Sequence, residues 1–343
     1  MKKPTEVKTE AKEVKDVKTT TQNKVMICSG GRYESQANRQ VRESIMDGWA
    51  AIVGEDNVIA INITGAAAAV ETIRPTVVFA IGSYLPESIY FGEICRKAHA
   101  IGAVTVFWAT EDPYEQDACY RITDDFDVIF SCDKWGTNFY DHPHAYHLAL
   151  GASKKLHYVP INTTIEKNID VFFCGVAFTN RKDIVRNLLP ILRNLNIRII
   201  GPGWGEFGIG FSDARIDKEQ VIELYQRSKI VLNLGRSLHF ENKRFMIMPS
   251  SPGPRTFEAA LAGAMQIFYE DTFEIHTYYQ KDEIPTFSNA HDFEKILERF
   301  LDNNSLILQT AQKAQDRTLK DHTYEKRIQN VMEVLRTHNF LKS

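Results

Sequence analysis

From Lys24 onward, short apolar runs rich in β-branched residues alternate with longer stretches of helical periodicity. The runs are KVMICS (24–29), NVIAIN (57–62), TVVFAIGS (76–83), AVTVFWAT (103–110) and FDVIFSC (126–132). Each is continuously apolar, the pattern of a parallel strand buried on both faces. The segments between them, 35–53, 64–73, 86–100 and 114–121, read as the covering helices. The alternation restarts with DVFFCG (170–175), IRIIG (197–201), KIVLNLG (229–235) and AMQIFYE (264–270). Helices are expected between these at 180–194, 217–228 and 255–263, and then at about 291–302, 304–317 and 322–339. The predicted fold class is α/β: two Rossmann-like doubly wound parallel-sheet domains facing a cleft.

The boundaries follow from the same pattern. Residues 1–23 alternate Lys with acidic residues and hold no aromatic, so they are expected to be a disordered tail. The first domain spans 24–160 and the second 161–320, joined by a polar linker near 160–169. Residues 321–343 form a last helix, expected to pack back on the first domain.

Composition adds little until it is divided. The whole chain has a net charge of −3 and 25% charged residues. Residues 24–160, however, carry 11 Lys/Arg against 17 Asp/Glu, and residues 161–343 carry 24 against 23. The acidic first domain argues against a nucleic-acid partner, and the second suits a small, locally held anion. The five cysteines include no CxxC pair, and three lie in apolar runs, which points to a reducing compartment. No apolar run nears the ~18 residues of a membrane span. A cytoplasmic location is expected.

Candidate chemistry clusters at strand ends, where open α/β sheets bind ligands. The first strand runs into Ser29-Gly30-Gly31-Arg32, which is not GxGxxG, and no acidic residue ends the second strand at Asn62, so the dinucleotide fingerprint is absent. The fourth strand ends in Glu111-Asp112. Either carboxylate suits a catalytic base or a ligand for an acceptor hydroxyl; Asp112 also suits a helix cap. His142, His144 and His147 have no Cys or Glu at metal spacing and read as a surface loop, and Asp124-Asp125 reads as a solvated turn, so no metal site is expected. In the second half, Gly175 and Arg181, Gly203 and Trp204, Asn233 and Arg236 all follow strands. Arg255, Thr256, Phe257 and Glu258 open a short helix after a Gly/Pro loop. Cations at helix starts favour a phosphate, and Glu258 can accept two vicinal hydroxyls.

Read together, FFCGVAFTNRKDIVRNLLP, IRIIGPGW, YQRSKIVLNLGRS and PRTFEAALAGAMQIF resemble the group-1-like glycosyltransferases of the CgeB (spore-maturation) type, as do WATEDPYEQD and FDVIFSCD. The resemblance covers about residues 24–335. It implies a GT-B fold, a nucleotide-sugar co-substrate (a UDP-sugar favoured) held by the second domain, and no metal or other cofactor. It implies donor contacts from the second-half residues above, with Glu258 on the ribose. The Gly30, Gly31 and Arg32 loop would lie on the acceptor side, facing a glycan, protein or small-molecule acceptor. Relatives with the broader E-x7-E motif carry a second Glu where this chain has Ser250. A sugar-nucleotide 2-epimerase and a non-catalytic sugar-nucleotide-binding protein are the alternative readings.

Overall fold

The computed structural model describes residues 23–31, 33–85, 90–236 and 240–341. The first sheet contains β1 (Val25–Ser29), β2 (Val58–Asn62), β3 (Val77–Gly82), β4 (Val104–Ala109), β5 (Val128–Ser131) and β6 (Ala145–His147). They lie in the order β2-β1-β3-β4-β5-β6, all parallel. The continuous apolar runs are explained by helices on both faces. Val25, Ile27, Val77 and Phe79 point to one side, while Met26, Cys28, Val78 and Ala80 point to the other. Helices α1 (Gln36–Val53), α2 (Ile63–Ile73) and α3 (Phe91–Ala100) follow the first strands, and α4 (Tyr120–Thr123) and α5 (Lys154–His157) are single turns.

The second sheet contains β7 (Ile169–Cys174), β8 (Ile197–Ile200), β9 (Phe211–Ser212), β10 (Ser228–Asn233), β11 (Gln266–Tyr269) and β12 (Thr286–Phe287), in the parallel order β12-β11-β10-β7-β8-β9. Its helices are α6 (Thr179–Leu192), α7 (Lys218–Arg227), α8 (Pro254–Leu261), α9 (Ala290–Phe300) and α10 (Asn304–Asp321). Val185 of α6 and Phe293 of α9 share one core with Ile199 and Ile230, while Tyr225 of α7 and Ala259 of α8 pack on the opposite side of the sheet.

The last helix, α11 (Tyr324–Thr337), lies on the first domain against α1. Its Tyr324, Ile328, Val331, Met332 and Leu335 belong to the core that contains Val25, Trp49 and Phe79. At about 2 kcal/mol per buried side chain, these five contribute on the order of 10 kcal/mol. The entropy of ordering the helix offsets much of this gross figure, but without α11 the core around Trp49 and Phe79 would lose its cover. The two helices approach closely because residue 48 is glycine: a Cβ there would stand 2.8 Å from the Tyr324 backbone.

Three expectations need correction. Strands β6, β9 and β12 have three, two and two residues, too short to stand out as apolar runs. Strand β6 lies inside the His-rich segment that reads as a loop. Residues 114–121 do not form one helix, because their backbone is committed elsewhere. Tyr114 O accepts from Glu241 N (2.8 Å), and Asp117 N donates to Glu241 O (2.8 Å).

That contact is part of a strap, residues 240–251, by which the second domain grips the first. The Asp117 carboxylate accepts the backbone N–H groups of Lys243 (2.7 Å), Arg244 (2.7 Å) and Phe245 (3.1 Å). Asp133, 1% exposed, accepts those of Ser250 (2.6 Å) and Ser251 (3.0 Å). Ser250 Oγ also donates to Asp133 (3.1 Å) and accepts from Trp135 N (3.1 Å). The position held by Glu in the E-x7-E motif is therefore an interdomain fastener here.

Candidate functional site

Strands β7, β10 and β4 end at a cavity of about 360 Å³ between the domains. Three arginines line it: Arg181, Arg236 and Arg255. Arg181 sits in the first turn of α6, which has no side-chain cap. Its Nε donates to the carbonyls of Leu234 (3.1 Å) and Gly235 (3.2 Å), and its Nη1 to Val176 O (3.0 Å). Carbonyls orient the guanidinium without neutralising it. Burial lowers its pKa to about 10, with Arg236 and Arg255 pushing the same way and Tyr114 opposing. The group stays charged at neutral pH, held close to two other cations.

Arg255 opens α8 behind Pro254, which sets the first helical φ and has no N–H to satisfy. This helix also lacks a side-chain cap. Two helix starts and three guanidinium groups thus converge, an arrangement that binds oxyanions through N–H groups, dipoles and planar forks. Arg255 Nη1 lies 3.4 Å from Glu258 Oε2, and the side chains are 42% and 14% exposed. Glu258 Oε1 stands 3.8 Å from His157 Nε2. His157 Nδ1 accepts Ser153 N–H (3.1 Å), which assigns the ring proton of the neutral form to Nε2, facing Glu258. Burial lowers the His157 pKa, against the raising effect of Glu258. His157 lies on a single-turn helix beyond the sheet and has no sequence signal.

Arg236 faces the first domain. Its guanidinium lies 3.6 Å from the Tyr114 ring centroid, and its Nη2 contacts Glu111 Oε2 at 2.9 Å. Tyr114 OH donates to Arg236 O (2.9 Å). Burial works against the charge, but Glu111 and Tyr114 outweigh it and raise the pKa. Among the described residues, Arg236 Nε is buried without a partner.

Several expected site residues do other work. Asp112, also on the cavity wall, is 3% exposed. Its carboxylate accepts from Ser131 Oγ (2.6 Å), Tyr140 OH (2.7 Å) and Tyr84 OH (3.0 Å). Burial raises its pKa to about 7, with those three hydrogen bonds opposing. It is a buried hub, not an open base. Glu115 is a neighbour with no signal of its own in the sequence: burial raises its pKa to about 7, against a hydrogen bond from Ser83. Trp204 is fully buried in the second-domain core, its indole N–H on Gly175 O (2.7 Å), so it offers no stacking face. Phe257 is likewise core. Thr256 and Asn233 line the cavity but bond to each other, Asn233 Nδ2 donating to Thr256 Oγ1 at 2.8 Å. Gly175 also lines it; Gly203 instead packs on Ala177. Gly30 makes room for the Ser83 carbonyl, serving strand packing, and Gly31 adopts φ +80° beside it. Arg32 lies outside the described residues.

His142 Nε2 donates to Phe126 O (3.0 Å), His144 packs on His338, and His147 meets Ser251 Oγ (3.2 Å). Among the described residues, no group of three or more His, Cys, Asp or Glu side chains is placed to hold a metal ion. No helix among them is long and apolar enough to cross a membrane.

Residues 181–333 match the model of a family described as glycosyl transferase-like. No curated protein matches the chain. Among solved structures, Anabaena Alr3699/HepE in complex with UDP-glucose is similar, with 9% identity and TM-score 0.58 over 91% of this chain and 99% of that one. AviGT4, a glycosyltransferase involved in avilamycin A biosynthesis, gives 12% and 0.62 over 92% and 97%. A Rickettsia africae glycosyltransferase gives 8% and 0.60 over 92% and 98%. With its two parallel-sheet domains, the cleft between them and these likenesses, the chain has the GT-B fold.

Proposed function

We propose that this protein is a metal-independent glycosyltransferase that moves a sugar from a nucleoside-diphosphate sugar to an acceptor hydroxyl. The observation that carries the reading is the convergence of Arg181, Arg236 and Arg255 on one cavity at two uncapped helix starts. Support comes from the glycosyl transferase-like match, which begins at Arg181, and from a UDP-glucose-bound structure of the same fold. The likeness to spore-maturation enzymes, the preference for a UDP-sugar and a cytoplasmic location belong to this reading.

Breaking the bond between the sugar and the diphosphate puts negative charge on the leaving group. The three guanidinium groups and the helix dipoles supply the compensating charge that a metal supplies elsewhere. Glu258, next to Arg255, is the ribose ligand. Glu111, which lines the cavity from the first domain, takes the proton of the acceptor hydroxyl as that oxygen bonds to the sugar and the diphosphate leaves. Isothermal titration with UDP, GDP and TDP, followed by sugar-transfer assays in excess EDTA, tests the reading. We expect one nucleotide to bind and transfer to survive EDTA; failure of all three to bind would overturn it.

A further inference from the structure

Among the described residues, Arg236 is the one cavity arginine whose carboxylate partner comes from the other domain. Its ring-stacked guanidinium is fixed in plane by Tyr114, and only Nη2 reaches Glu111. The adjacent Nε is buried and has no partner among the described residues. An unmade hydrogen bond at a buried donor is costly. An oxyanion bound edge-on would satisfy Nε and Nη2 together, as guanidinium forks commonly do. The Glu111 carboxylate satisfies only one. Glu111 is also 37% exposed, so releasing it does not strand a charge in the core. A diphosphate at Arg181 and Arg255, on the side facing Glu111, brings a second anion towards Arg236, and two anions beside one cation repel each other.

We propose that the Glu111 carboxylate and the donor diphosphate compete for Arg236, so that donor binding releases Glu111 towards the acceptor. This rests on the donor-site reading above. It adds an order of events: the acceptor-side carboxylate becomes free only when the donor is in place. The Tyr114 hydroxyl, bonded to Arg236 O, holds the backbone while the side chain changes partners.

The test is calorimetric titration with UDP and with uridine. The proteins are wild type, Glu111→Gln, Arg236→Gln and the double variant, with melting curves to establish folding. Removing the competitor should tighten UDP binding about fivefold, the worth of a partly exposed ion pair. Uridine affinity should not change. Arg236→Gln should weaken UDP binding, and adding Glu111→Gln to it should have no further effect. A purely structural pair predicts UDP binding that is unchanged or weaker in Glu111→Gln, and that result overturns the proposal while leaving the donor site standing. Glu111→Ala serves if the Gln variant does not fold. If wild type binds none of UDP, GDP and TDP, the donor-site reading fails and this proposal falls with it.

Discussion

At the scale of single residues, the positive charge of the cavity comes from Arg181, Arg236 and Arg255. Arg181, Arg236 and Arg255 stand out in the sequence because cations at strand ends have few structural reasons to be there. Trp204 and Phe257, equally prominent in their motifs, are core residues, since an aromatic in a motif fills space as readily as it binds sugar. Arg181→Ala should weaken nucleoside diphosphate binding by roughly 10- to 150-fold, the worth of a charged hydrogen bond, and leave nucleoside binding nearly unchanged. Glu258→Gln should weaken both ligands, because the ribose is common to them; calorimetry separates the two patterns. Asp112 gives a pH prediction. Its ordinary pKa is 3.8 and its folded value about 7. Between the two, the folded protein holds a proton that the unfolded chain has lost. This group's contribution to stability therefore falls as pH rises through that window, and the loss is complete above it. Asp112→Asn does not titrate. The melting temperature of the variant minus that of wild type should increase from about pH 5 to about pH 8. A flat difference would show that the carboxyl is ionised throughout.

At the scale of elements, the long central strands and most helices were readable because a strand covered on both faces must be apolar at every position. The edge strands were not. Strand β6 has His147 and Tyr146 where a run of Val or Ile would be diagnostic, because it borders the interdomain strap and α11's end rather than a second buried face. Residues 114–121 carry helical periodicity, but their main-chain groups are taken by Glu241, a partner more than a hundred positions away. No local pattern encodes such a contact. The meeting of α1 and α11 depends on Gly48, so Gly48→Ala should destabilise the protein by about 1–3 kcal/mol, the usual cost of overpacking. Urea unfolding measures it; an unchanged midpoint would mean that the helices can separate at no cost.

At the scale of the molecule, the strap makes the cleft a property of both domains. Asp133 answers two buried N–H groups from the other domain, and losing it leaves both without a partner. Asp133→Ala should therefore split or broaden the calorimetric unfolding transition as the domains uncouple, and should loosen nucleotide binding indirectly; a single sharp transition at the wild-type temperature would show that the strap does not couple them. The return of α11 has a different consequence, for the order in which the chain acquires structure during synthesis. The second domain can condense as soon as α10 has been made. The first domain, although translated earlier, cannot complete its core until residues 324–337 arrive, some three hundred positions after Val25. Contacts so distant in sequence form slowly, because a long loop must close before they return any energy. A nascent chain stopped before α11 should therefore present an open apolar face beside a finished second domain, making the earlier half the natural client of chaperones on the ribosome.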